Sequence, residues 1–273
     1  MYEEYFGLRE APFNVTPDPK FIFFSEQHLD AFSCLIYGIE SRKGFIQITG
    51  EIGAGKTTLC RAVLGKLRNE RTHTALLINP LLSEVSLIRA IAEDFGVFLK
   101  GRDQKECFDC LNRFLLKEFH KGYNSVLIID EAQDLTPKTL EQIRLLSNLE
   151  TDSQKLIQIV LVGQPELRHT LDDPTLAQLK QRINIRFHLT SLDRKETGEY
   201  ILHRLQVAGL TEEMNPFFPA AVDFIYTRSQ GIPRLINKLC DRALLAAYAK
   251  DLKRVDEKLI EETYSEMEGL VVG

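Results

Sequence analysis

The run GEIGAGKTT, Gly50–Thr58, has the residue types and spacing to hold a triphosphate. Gly50, Gly53 and Gly55 free the backbone to curl, so that successive N–H groups from Glu51, Ile52 and Ala54 onward turn inward at phosphate oxygens. Lys56 supplies the cation for the β and γ oxygens, and the Thr57 hydroxyl is a ligand for Mg²⁺, with Thr58 following in the first helical turn. About 70 residues further on, SVLIIDEAQD ends an apolar run in two acids, Asp130 and Glu131. The first suits the hydration shell of the metal. The second is placed to polarise an attacking water. Together these residues describe hydrolysis of a nucleoside triphosphate, with ATP and Mg²⁺ as the expected ligands.

Other polar residues stand where neighbouring apolar runs end. Asn79 closes HTALLIN, either to hold Glu131 in an inactive pose or simply to turn the chain before Pro80. Gln164 closes KLIQIVLVG, facing the γ-phosphate or the water, or turning the chain before Pro165. Two arginines follow in LKQRINIRFHL. Arg182 lies at a helix end that would face a neighbouring subunit, where a guanidinium can stabilise charge on the transferring phosphoryl group; Arg186, inside a strand, reads as an ion-pair partner. In SQGIPRLINKL, Arg234 falls in the first turn of a helix, a poor place for a cation unless an anion compensates it. The bound nucleotide is the candidate, an acid on the preceding domain the alternative.

The elements that must position these residues alternate. GFIQITG, HTALLIN, NSVLIID, KLIQIVLVG and NIRFHLT read as strands, separated by amphipathic helices near 56–69, 84–96, 103–121 and 137–149. Runs that are apolar along their whole length belong to a parallel sheet covered on both faces. The fold class is therefore α/β, a doubly wound parallel sheet, followed by a small all-helical lid. The expected divisions are an aromatic and proline-rich arm over 1–25, the α/β core over 26–192 and the lid over 193–273. Phe6, Pro12, Phe13 and Phe21 of the arm are placed either to wall an adenine or to anchor the arm.

Composition sets the outer bounds. A chain of 273 residues with 44% hydrophobic and 27% charged content can bury a large core, and no apolar run approaches the ~20 residues that span a bilayer. The acidic opening MYEEYFGLRE does not resemble a secretory signal, so the expected location is cytoplasmic, with no direct membrane insertion. Net charge of -5 argues against a surface built for nucleic acid. The five cysteines include one CxxC, Cys107 and Cys110, inside a helical pattern that lacks the second pair a zinc site needs.

The set formed by GEIGAGKT, LIIDEAQD, a polar strand end, an arginine suited to an interface, and GIPR opening a helical bundle resembles AAA+ P-loop ATPases. With the opening MYEEYFGLREAPFNVTPDPKFIFFS and the segment LVGQPEL, the chain more closely resembles the ExeA/GspA family of secretion-associated ATPases. That resemblance implies a homo-oligomer, a ring or partial ring with ATP at subunit interfaces. It also implies an inner-membrane secretion or pilus partner and a role in assembling or placing a secretin. Longer members continue into a transmembrane helix and a periplasmic domain, so the expectation is either the cytoplasmic part of such a protein or a short member. TniB/TnsC-like regulators, which assemble on DNA with ATP, share the core motifs and form the alternative. A slowly hydrolysing, nucleotide-gated scaffold is another.

Overall fold

The computed structural model describes residues 1–267 and 269, apart from 17, 69, 79, 100–102, 152–153 and 212–214. The runs rich in Ile, Val and Leu form β1 (Phe45–Gly50), β2 (Thr72–Leu77), β3 (Asn124–Ile129), β4 (Gln158–Gly163) and β5 (Ile183–Leu189). Every pairing is parallel, in the order β2-β3-β4-β1-β5. From β1 the chain crosses to the far edge at β2, returns through β3 and β4, and ends on the other side of β1 at β5. This is the doubly wound arrangement expected from the apolar runs. All six residues of β1 and all six of β4 are buried, as strands with helices on both faces must be.

The helices are α1 (Tyr2–Tyr5), α2 (Glu26–Glu40), α3 (Lys56–Leu67), α4 (Glu84–Asp94), α5 (Gln104–His120), α6 (Pro137–Leu146), α7 (Glu166–Leu171), α8 (Ala177–Arg182), α9 (Arg194–Val207), α10 (Pro219–Ser229), α11 (Pro233–Ala249) and α12 (Glu257–Met267). Their starts follow local chemistry. Ser83 and Thr136 accept from backbone N–H groups in the first turns of α4 and α6, and Asp193 with Glu196 forms a capping box on α9. The side chains of β1 alternate between two cores. Ile46 and Ile48 meet Leu35, Ile39, Leu59 and Val63 of α2 and α3, while Phe45 joins the core built with α4 to α8. Cys107 is buried in that second core, which pushes its thiol pKa up. Among the described residues no group of acids, cysteines or histidines could hold a metal alone, and no helix is long and apolar enough to cross a membrane.

The chain divides into two compact units. One comprises Gln27–Gly50 and Leu59–Leu189, which contains the sheet; the other comprises Met1–Glu26, Glu51–Thr58 and Thr190–Gly273. In the second unit the arm is a structural part of the helical bundle. Tyr2, Phe6, Leu8, Phe13 and Phe21 are buried with Ile201, Leu205, Ile225, Ile236 and Leu244. Within the arm, α1 and a 3₁₀ turn at Pro19–Phe21, capped by Asp18, are joined by turns and bends. The rings of Tyr2, Phe6, Phe13 and Phe21 are taken up by this core, while Phe24 is exposed.

A buried cation ties the arm down. Arg204 donates to the Pro12 carbonyl at 2.5 Å, to the Tyr200 hydroxyl at 2.9 Å and to the Asn14 carbonyl at 3.4 Å, and lies 4.8 Å from the centre of the Phe21 ring. Two carbonyls and a ring face take the place of a carboxylate. Truncation of Arg204→Ala strands those acceptors and opens a void, so it should cost about 2–3 kcal/mol of stability. Denaturant unfolding checks the magnitude, and limited proteolysis should then cleave first within residues 1–25.

Candidate nucleotide site

In the sheet-bearing unit, parallel pairing sends the C-terminal ends of β1, β3 and β4 to one edge. Gly50 ends β1 there because nothing larger fits: a Cβ on it would lie 2.7 Å from the Leu189 carbonyl oxygen. The chain then enters the loop Glu51–Gly55 and starts α3 at Lys56. Gly53 and Gly55 both have positive φ, +83° and +94°, which glycine adopts without strain. Lys56 is buried, and its Nζ donates to the Glu51 carbonyl at 2.8 Å, so the lysine closes the loop that precedes it. Thr57 and Thr58 occupy the first turn of α3, as the motif requires.

The loop belongs to the helical unit, which brings the start of α11 onto it. A Cβ at Gly53 would stand 2.7 Å from Arg234 Cβ and 3.1 Å from Ile232 Cγ2. Arg234 therefore sits against the phosphate loop, with its side chain exposed. The turn before it is pinned by Gly231, at φ +70°, whose carbonyl accepts from Leu192 N–H at 3.0 Å. No side chain caps α11, which begins with Ile232 and Pro233.

At the end of β3 stands Asp130, 2% exposed. Its backbone N–H donates to the Leu77 carbonyl at 2.8 Å, and its Oδ1 accepts from the Glu131 N–H at 3.0 Å. Glu131 then takes left-handed backbone angles, φ 53° and ψ 38°. Such a conformation costs a non-glycine residue about 1–2 kcal/mol. The turn directs the carboxylate to two amides: Glu131 Oε2 accepts from Gln133 Nε2 at 2.8 Å and from Gln164 Nε2 at 3.4 Å. Gln133 Oε1 in turn accepts from the Gln164 backbone N–H at 2.9 Å. The end of β3 and the end of β4 are thus joined through one glutamine side chain.

Gln133 is the residue that motif reading passes over. Its only signal in the sequence is an amide two positions beyond Glu131, and its second partner lies 31 residues away. Gln164 does meet Glu131. Arg182 is brought elsewhere: at the end of α8 its Nη1 donates to Ser147 Oγ at 2.9 Å and to Asn148 Oδ1, just past the end of α6. Arg186 donates to the Lys180 carbonyl at 2.7 Å. Asn79 lies outside the described residues.

These features define a class, the P-loop nucleotide-binding proteins of AAA+ type. A family model described as an AAA domain matches residues 39–171. The chain is 45% identical over 256 residues to general secretion pathway protein A of Aeromonas hydrophila, covering 93% of this chain and 46% of that protein. It belongs with the ExeA/GspA family, and it spans about half the length of that relative. Among solved structures, the Aeropyrum pernix ORC2 protein shares the fold with a TM-score of 0.69 and 18% identity, over 94% of this chain and 71% of that one. The Thermotoga maritima RuvB Holliday junction branch migration motor does so with a TM-score of 0.59 and 21% identity, over 89% and 69%.

The strand-end junction is sterically tight. A Cβ on Gly163 would lie 2.8 Å from Gln133 Oε1 and 3.2 Å from its backbone nitrogen. Gly163→Ala should therefore cost about 1–3 kcal/mol by overpacking, and less in a Gln133→Ala background. A double-mutant cycle of unfolding free energies measures the coupling; simple additivity would show that the amide is not held as described.

Proposed function

We propose that the chain is a Mg²⁺-dependent ATP hydrolase whose turnover drives assembly or placement of a secretion or pilus export complex. The observation that supports hydrolysis, beyond binding, is Glu131: a half-buried carboxylate in a left-handed backbone, directly after the buried Asp130 and held by two amides. A residue that only ended a strand would need neither the strained turn nor the aimed donors. In this reading the loop N–H groups from Gly50 to Gly55 and Lys56 grip the phosphates, and Thr57 and Asp130 hold the metal and its water. Bound Mg²⁺ would neutralise charge developing on the phosphates.

Glu131 is the base toward water. Gln164 orients the water or the γ-phosphate, and Gln133 positions both through its amide. Arg234, seated on the phosphate loop, reports nucleotide to the helical unit. Arg182 acts toward the nucleotide of a neighbouring copy, released from Ser147 and Asn148 on assembly, which makes the active form a homo-oligomer. The protein partner is an inner-membrane component of the export system, a role supported by the likeness to general secretion pathway protein A.

Three variants test these roles. Glu131→Gln should keep ATP affinity within about twofold while turnover falls by about 10²–10⁴, the usual contribution of a general base. Gln133→Leu, which removes both of the amide's bonds, should lower kcat by about 10–100-fold with KM nearly unchanged, because a misplaced base costs rate rather than binding. Steady-state phosphate release and equilibrium nucleotide binding read the two quantities, and wild-type turnover in Glu131→Gln would remove the proposed base. For the shared site, specific activity should rise with protein concentration and lose that rise in Arg182→Ala; concentration-independent activity contradicts it.

A further inference from the structure

Two polar residues stand on a buried face of β1, the strand next to the edge strand β5. Along β1, Gln47 and Thr49 share the face of Phe45, against α7 and α8, where the row would ordinarily be apolar. Thr49 is accounted for: its Oγ1 accepts from Arg168 Nε at 3.0 Å and lies 3.0 Å from His188 Nδ1. Gln47 is not. It is 4% exposed, and its Nε2 has no hydrogen-bond partner among the described residues.

Gln47 opens onto a cavity of about 270 Å³, entirely within the sheet-bearing unit, also lined by Thr49, Arg168, Asp172, Lys180 and Arg186. The strand register sets Gln47 beside Arg186 of β5, so the two side chains leave the sheet on the same side. Lys180 is satisfied by Asp172, with Nζ donating to Oδ1 at 2.5 Å, and that bond, with Lys180's charge, holds the Asp172 carboxyl below its ordinary range. Neither guanidinium has such a partner. Arg168 spends its Nε on Thr49 and Arg186 one nitrogen on the Lys180 carbonyl, and no carboxylate pairs with either among the described residues. The charge of Arg186 also helps to lower the Asp172 carboxyl, but neither guanidinium donates a hydrogen bond to an acid among the described residues, so both forks keep donors beside the buried amide.

We propose that this cavity is an oxyanion-binding site, separate from the phosphate loop. Guanidinium forks bind phosphate and carboxylate oxygens in pairs, and a glutamine amide adds a neutral donor at the floor. The volume is below the ~300 Å³ at which pockets begin to enclose whole small molecules, so it fits a phosphate-sized head and not a nucleotide. Because Thr49 immediately precedes Gly50, an occupant that recruits Arg168 alters the end of the strand that delivers the loop. The oxyanion is either dissolved or a carboxylate of a second copy of this chain.

Calorimetric titration of the full chain with inorganic phosphate tests the site, carried out in the Lys56→Ala variant so that the phosphate loop is silenced. Saturable binding is expected, weakened at least tenfold by Arg186→Ala and by Gln47→Leu. The second substitution keeps every charge and so separates a built site from a diffuse positive field. Arg186 is exposed, so its truncation keeps the result readable if Gln47→Leu fails to fold. Absence of binding in Lys56→Ala, or binding indifferent to Arg186→Ala, overturns the proposal; failure of ATP hydrolysis alone does not touch it. Sedimentation of the wild-type chain with and without phosphate then assigns the source. Self-association that phosphate weakens supports a carboxylate from a second copy, and self-association that phosphate leaves unchanged, with binding retained, supports the dissolved anion.

Discussion

Parallel strand pairing is the constraint from which the rest of the molecule follows. Each strand must run the same way, so each must be reached by a crossover, and the crossovers bury both faces. The consequence is one edge at which Gly50, Asp130 and Gln164 all emerge from strands that are adjacent or one apart in the order β3-β4-β1. No local sequence feature could gather these residues from positions so distant in the chain. The chemistry of the phosphate loop and of the acid pair becomes available only because apolar residues on the strands leave nowhere else for the polar ends to go.

At that edge the chain accepts strain. Glu131 adopts a left-handed backbone that glycine would take freely, and two amides supply the compensation. Gln133 does more than hold one carboxylate, because its oxygen also accepts from the backbone at the end of β4. A shift of either strand end is therefore felt at the acid. In the other unit, the phosphate loop shares its packing with the start of α11 through Gly53. A bound triphosphate would press on that same contact, which gives nucleotide state a physical route into the helices.

Much of this was legible in the sequence, for identifiable reasons. Short apolar-rich runs such as FIQITG and VLII read as strands of a sheet buried on both faces, and the α/β class with its strand positions follows from them. Gly50 to Thr58 and the Asp130–Glu131 pair are local motifs, so their elements were readable too. The arm was harder. Phe13 and Phe21 look the same in sequence whether they stack on a ligand or fill a core, and their burial with Leu205 and Ile236 is a fact of long-range packing. Gln133 escaped because its second partner is far along the chain; Arg182 does end a helix, as its sequence suggests, but its contacts with Ser147 and Asn148 are equally long-range and were not readable. Gln47 was hidden inside a strand that otherwise reads as apolar.

The central claim is that the aimed Glu131 makes this a site of hydrolysis and not of binding alone. The most direct measurement is a single-turnover experiment, with protein in excess over ATP and inorganic phosphate followed in time. The account predicts that all bound ATP is converted to ADP and phosphate in the presence of Mg²⁺, and that none is converted when the metal is chelated. ATP that stays bound and intact with Mg²⁺ present, in chain free to self-associate, would contradict it.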